Sequence, residues 1–268
     1  MSLVLKEPVY VKGNDFWGRP AVLQLRPSRD PGWFMQYDSS IVPIALHNVF
    51  CKFRRLTLKG GNYQFNYFEH LAPLRFLGLG NTLIVMSSRM PYFTRPSDIW
   101  RQIKDYCEVD PSSSIQWVGV KEEIRCWYPD MRYTQINPIN LGETQTLSIK
   151  IICDYTHLGR KEETFLLPPF DEQILEIPTQ GWPPWLYHSS RIASRLGWPH
   201  HRNITWPQGH SRDETLHRFI RHRLVDLLGA LSLVHPQRLL VGEVISNCSG
   251  HRGDIACVRQ AQGCLVEL

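Results

Sequence analysis

The sequence predicts an α+β fold assembled from two units of similar build, and three observations predict it. Each half opens with short apolar–polar alternations broken by Gly, Pro, Asp and Asn, the pattern of strands joined by turns. Helical patterns follow the strands in each half. A polar stretch carrying Pro and three serines, EVDPSSSIQ from Glu108 to Gln116, separates the two. We place the boundary there, with an amino-terminal α+β domain at residues 1–112 and a carboxy-terminal one at residues 113–268. The order of elements repeats, although no residue-level repeat is visible.

Each element can be justified in turn. From Val4 to about Leu58 the runs PVYV, AVLQLRP, GWFMQY and SIVPIAL read as strands. Asn66 with Glu69 three residues later has capping-box spacing, and Leu71, Leu74 and Leu77 follow at helical intervals, so a short helix is expected to end near Gly78 or Gly80. Thr82 to Met86 reads as a strand, and PSDIWRQIKDYC as a helix capped at Ser97 or Asp98. In the second half WVGVKEEIRCWYP, TQTLSIKIICDYT and ETFLL alternate as strands, and a Trp- and Pro-rich segment around Ile174 to Leu196 leads into a helical stretch. SRDETLHRFIRHRLVDLLGALSLVHP is the strongest helix, opened by Ser211 with Glu214 in capping-box position and closed by Pro236. LLVGEVI then reads as a strand, SNCSGHRGD as a loop, and the remainder as a last short helix.

Composition narrows the class. With 268 residues, 43% hydrophobic and 21% charged, the chain can bury a full core, which excludes disordered and collagen-like proteins. A net charge of +5 admits anionic ligands but falls short of the dense positive field of a nucleic-acid binder, so no nucleic acid is expected as partner. Seven cysteines without any C-x-x-C spacing signal neither a disulfide framework nor a thiolate zinc site, so a metal would be held by His and carboxylate. No run approaches the ~18 to 20 apolar residues of a spanning helix, and the opening residues lack the features of a signal peptide. A cytoplasmic location is expected.

Three places could carry chemistry. His222 and Asp226, spaced i, i+4, share a helix face roughly 200 to 240° from the Ile220, Leu224, Leu227, Leu231 stripe, and flanking Phe219, Val225 and Leu228 suggest that this face is covered. A covered imidazole and carboxylate one turn apart can chelate a divalent cation, or can be an ordinary His–Asp pair on a helix. Glu69-His70 opens the earlier helix: His70 can bind a metal while Glu69 addresses water, or Glu69 can serve the cap and His70 pack. Ser249-Gly250-His251 follows a strand, where Gly permits tight geometry and His can offer a proton. The His200-His201 pair, His210 and His217 read as surface or structural residues.

In this order and with their surrounding text, the three places resemble the UDP-3-O-acyl-N-acetylglucosamine deacetylases, the zinc amidohydrolases of lipid A synthesis. The resemblance rests on AVLQLRPSRDPGWFM, on EHLAPLRFLGLGN in place of the family's E-H-L…LxGLGxxN, on RHRLVDLLGALSLV in place of R-H-K-x-L-D-x-I-G-D-L, and on VGEVISNCSGHRGD in place of G…KSGHxxN. It extends over nearly the whole chain, DYTHLG included. It implies His70, His222 and Asp226 as ligands of Zn²⁺, Glu69 as general base, and His251 as the group that steadies or protonates the tetrahedral intermediate. It also implies Arg223 as a substrate-binding residue, and a fold in which the helix pairs of two similar domains face each other across the active-site cleft. The implied substrate is a UDP-linked, acylated N-acetylglucosamine, hydrolysed to acetate and a free amino sugar. That substrate allows transient association with a membrane surface; oligomeric state is not implied.

The sequence departs from the family at defined points. The second Asp of the zinc-binding helix aligns with Ala230, the Lys after the first helix ligand with Arg223, the Lys of the K-S-G-H loop with Cys248, and the following Asn with Asp254. Loss of the carboxylate at Ala230 is expected to lower the pKa of His251, with Asp254 as a compensating neighbour. The segment with Trp182, Trp185, Trp198 and Trp206 rewrites the family's acyl passage. Pro73 is expected to disturb the helix beside Glu69. Two alternatives stand beside the leading reading: the same chemistry on a different N-acyl amino sugar, and a catalytically impaired relative that binds a ligand or a protein partner.

Overall fold

The computed structural model describes residues 2–15, 19–52, 55–60, 63–66, 68–86, 91, 93, 95–112, 116–139, 146–155, 159–167, 172–176 and 212–268. The Trp-rich segment, His200, His201, His210 and Ser211 lie outside these residues. The fold is α+β, with several sheets and, among the described residues, four α-helices.

The first half supplies β1 (Ser2–Leu5), β2 (Val9–Asn14), β3 (Pro20–Pro27), β4 (Trp33–Tyr37), β5 (Ser40–Pro43), β6 (Val49–Lys52), β7 (Arg55–Gly60), β8 (Tyr63–Asn66), β9 (Thr82–Met86) and β10 (Cys107–Asp110). Helix α1 (Ala72–Phe76) precedes β9 and α2 (Pro96–Ile103) follows it. The second half supplies β11 (Gln116–Val120), β12 (Ile124–Tyr128), β13 (Arg132–Ile136), β14 (Leu147–Tyr155), β15 (Gly159–Leu167), β16 (Arg238–Leu240), β17 (Gly242–Asn247) and β18 (Leu265–Glu267). Helix α3 (Arg212–Leu231) precedes β16 and α4 (His251–Ala261) follows β17.

Two five-stranded mixed sheets are wired alike. In the order β2-β3-β9-β4-β5, antiparallel hairpins stand at both edges, and β9 fills the centre antiparallel to β3 and parallel to β4. In the order β12-β13-β17-β14-β15, β17 fills the centre with the same senses. Smaller pairings echo each other too. Strand β1 pairs antiparallel with β10 and bridges Leu79 in parallel, while β11 runs antiparallel to β18 and parallel to β16. Strands β6, β7 and β8 form a separate antiparallel meander.

Local chemistry explains the departures from the expected elements. The helix expected from Asn66 does not form: Asn66 ends β8, Phe68–His70 is a single 3-10 turn, and α1 is five residues long. Pro73 has no N–H to offer the carbonyl of Glu69, so it sits in the first turn of α1, where that donor is not needed, and the chain before it tightens, with Leu71 N–H bonding the carbonyl of Phe68 at 2.9 Å. Gly78, at φ +102°, ends this segment in the left-handed conformation. Helix α2 starts one residue before the expected caps; Asp98 caps it from the third helical position by accepting the N–H of Arg95 at 3.1 Å. The last helix begins at His251 itself, so this residue stands on the first turn of α4 rather than in a loop.

Helix α3 is buried on most sides. Ile220, Leu224, Leu227 and Leu231 form its expected stripe, which Leu216 extends, and Val225, Leu228 and Ala230 are buried beside them. It packs against α1, α4, β14 and the Phe68–His70 turn, which brings material from both halves onto one helix.

Candidate metal centre

Asp226 lies at the middle of the site. Its Oδ2 stands 3.6 Å from His222 Nε2, one turn back on α3, and its Oδ1 stands 3.7 Å from His251 Nε2 at the start of α4. Glu69 reaches the same carboxylate from the first half. Ligand atoms of Glu69, Asp226 and His251 all lie within 4.8 Å of one another, so this buried group can hold a metal ion. His70 also lies close enough for its charge to act on Asp226. Residues from opposite halves of the chain therefore converge, but the compact trio joins Glu69 and His251 to Asp226, whereas the expected ligands His70 and His222 flank it.

A close approach delivers Glu69. Gly229, one turn past Asp226 on α3, faces the 3-10 turn: a Cβ there would lie 2.4 Å from Glu69 Cβ and 3.0 Å from its Cα. Only hydrogen at that position lets the turn and the helix meet. Glu69 and His70 are each 2% exposed.

The other side of the site rests on a buried ion pair. Arg223 binds both carboxylate oxygens of Asp254 through Nη2, and Asp254 is fully buried. The Nε of Arg223 donates to the carbonyl of Ser249 at 3.1 Å and its Nη2 to Ser246 Oγ at 3.3 Å. Thr134 donates to Asp254 Oδ1 at 2.8 Å and shares a hydrogen bond with Ser249 Oγ at 2.7 Å. This network pins the strand end and loop that lead into His251. Arg223, expected to meet substrate, is thus turned inward; its Nη1 is the buried nitrogen that makes no hydrogen bond among the described residues. Asp254, expected to compensate for Ala230, is committed to Arg223 and Thr134, and the carboxylate beside His251 is Asp226.

The charges respond accordingly. Burial pushes the pKa of His251 below the ordinary histidine value against the pull of Asp226. Burial works to raise Asp226, but His222, His251, Arg223 and His70 outweigh it and hold the carboxyl below the usual range. His222 Nδ1 and His251 Nδ1 are buried without a hydrogen bond among the described residues. Buried polar atoms of this kind are costly unless satisfied, and a carboxylate among imidazoles is the donor set of a divalent transition metal.

Sequence reasoning missed Thr134, Arg75 and Gly229. Thr134 and Arg75 left a signal, a polar residue at a core-facing position: Thr134 at an inward place of β13, and Arg75 within the apolar text LAPLRFLGLG. Cys248 holds a left-handed backbone at φ +47°, and its Sγ accepts the N–H of Asp154 at 2.9 Å. No protein-family model matches the chain, and a search of curated proteins finds no match.

Proposed function

We propose that the protein is a zinc-dependent amidohydrolase that removes the N-acetyl group from a UDP-linked, 3-O-acylated N-acetylglucosamine or a close N-acyl amino sugar. One observation carries this reading: Glu69 from the first half and Asp226 and His251 from the second meet at a buried point, with His70 and His222 beside it. The shared wiring of the two five-stranded sheets supports reading the chain as two similar domains with the site between them.

In this reading Asp226, His70 and His222 hold the ion. When bound, zinc supplies a Lewis acid for the amide carbonyl and lowers the pKa of the attacking water. Glu69 takes a proton from that water as its oxygen attacks the carbonyl carbon. His251 receives the proton that Glu69 took from the water and passes it to the amide nitrogen as the C–N bond breaks, which leaves Glu69 ionised again; Asp226, 3.7 Å away, stabilises the imidazolium while it exists. Acetate and the free amine leave. The Arg223–Asp254 network holds the loop that leads into His251 at the first turn of α4.

The compact Glu69, Asp226, His251 trio favours a second reading, in which these three hold the ion and no free base or acid remains, so the protein binds a ligand without turnover. Glu69→Gln separates the two. In the hydrolase reading the variant retains one zinc per chain and loses about 10²- to 10⁴-fold in kcat, the contribution of a positioned base. In the binding reading it loses the zinc. Metal content is measured by elemental analysis, and hydrolysis by acetate release from N-acyl sugars with and without UDP and the 3-O-acyl chain. A wild-type protein that takes up no zinc overturns both.

A further inference from the structure

Arg75 is 6% exposed, and no carboxylate pairs with it among the described residues. It spends its donors on backbone instead. Nη1 donates to the carbonyl of Ser232, and Nη2 donates to those of His235 and Pro236, at 2.9 and 2.8 Å. These three oxygens lie at and just past the carboxy-terminal end of α3, where unsatisfied carbonyls gather and the helix dipole is negative. Arg75 itself belongs to α1, which follows directly from the turn that carries Glu69 and His70.

The placement has a mechanical consequence. Asp226, Gly229 and Ser232 succeed one another along α3, with about 9 Å of helix between first and last. Glu69 touches this line at Gly229, and Arg75 holds it at Ser232 and beyond. The turn and α1 both pack against α3, and apolar packing fixes their distance from it more tightly than their angle. The directed bonds of Arg75 at the far end of that contact fix the angle as well. Packing alone does not call for arginine here, since the neighbours Leu71, Leu74 and Phe76 are buried and apolar and a leucine would suit them. Burial draws the guanidinium pKa down to about 10, which leaves it charged at neutral pH.

We propose that Arg75 is a positioning residue for the metal centre: by clasping the end of α3 it sets the separation between the first-half side chains Glu69 and His70 and the second-half side chains His222 and Asp226. The proposal rests on the metal-centre reading above, and the two can fail separately. Zinc affinity is measured by competition with a chromophoric chelator, and the thermal midpoint on the metal-free protein, for the wild type, Arg75→Met and Arg75→Lys. Ile84→Val, in the core strand β9 away from the clasp, serves as a control for loss of stability alone.

Arg75→Met is expected to weaken zinc binding by about 10- to 100-fold, the usual effect of removing a supporting contact behind a ligand. Arg75→Lys, which keeps the charge but not the planar fork, is expected to fall between it and the wild type, and it carries the test if Arg75→Met does not fold. Ile84→Val is expected to lower the midpoint and leave zinc affinity unchanged. If the wild type binds zinc and the Arg75 variants bind it as tightly, the positioning role is overturned while the metal centre stands. If the wild type binds none, the metal-centre reading is overturned and this proposal with it.

Discussion

Glu69 and His251 approach the same carboxylate from opposite halves of the chain, and the two segments that carry them are supported by opposite means. The Glu69 turn meets α3 by close approach: Gly229 admits its backbone, and Arg75, on the helix that follows the turn, bonds to neutral carbonyls. The His251 segment is held by charge: Arg223 and Asp254 form a buried ion pair, which Thr134 and Ser249 extend by further hydrogen bonds. The contrast follows from what each segment offers. A 3-10 turn between a strand and a five-residue helix has few side chains to spare, so it depends on close approach. The loop before α4 exposes several backbone groups, such as the Ser249 carbonyl, that need partners, and a guanidinium can take several at once.

The largest effect should come from breaking the charged support. Asp254→Asn leaves the Arg223 guanidinium buried without its counter-charge, and such one-sided breaks cost about 3–5 kcal/mol. Urea unfolding of the metal-free protein should show this loss, whereas the double variant Arg223→Met/Asp254→Leu should lose less than the sum of its single variants, because no orphan charge is left. Additive single costs would show that the pair is not a unit.

Breaking the steric support should cost less. Gly229→Ala places a methyl 2.4 Å from Glu69 Cβ, against backbone as well as side chain. Overpacking of this kind costs about 1–3 kcal/mol, offset by the better helix propensity of alanine, about 1 kcal/mol. A net loss of stability together with weaker zinc binding is expected, measured by unfolding and chelator competition. If the two supports are independent, the cost of Gly229→Ala should add to that of Asp254→Asn within about 0.5 kcal/mol. A stabilised Gly229→Ala would show that the turn has room to withdraw, and the contrast between the two segments would lose its steric half.

The same contrast explains how much of the site could be read from the sequence. His222 and Asp226 were legible because an i, i+4 pair on a strongly patterned helix fixes its own geometry, and their face proved to be covered as the flanking Phe219, Val225 and Leu228 imply. Strands β9 and β17 and helices α2 and α3 were legible through period and punctuation. The Glu69 turn was misjudged. Asn66 and Glu69 have capping-box spacing, but Pro73 acts at longer range than a cap, and the preceding residues prefer to finish β8. The pairing of Arg223 was not legible for another reason: its partner Asp254 lies 31 residues away, and no local pattern announces a tertiary ion pair. Gly229 reads in sequence only as a weak point in a helix, and its purpose depends on what faces it.

The smallest effect concerns the turn that Arg75 grips. His235 Nδ1 accepts the N–H groups of Gln237 and Arg238, both at 3.1 Å, and its carbonyl accepts from Arg75. An imidazole that accepts at Nδ1 must be neutral there, and burial, with the charges of Arg238 and Arg75, lowers its pKa. In the unfolded chain it titrates near about 6.5. The folded value is the lower one, so between the two the unfolded state binds more protons, and this contribution to stability is complete above about 6.5 and is lost as pH falls through the folded value. His235 is partly exposed, so solvent screening limits the change to a few tenths of a kcal/mol between about pH 7.5 and 5.5. His235→Asn keeps a side-chain acceptor and removes the titration. Urea midpoints at the two pH values should differ less for the variant than for the wild type, with the remaining difference carried by groups such as His251, whose burial gives the same sign. Equal differences would show that the His235 turn does not feel pH, and that the grip on α3 is as indifferent to protons as a purely steric support.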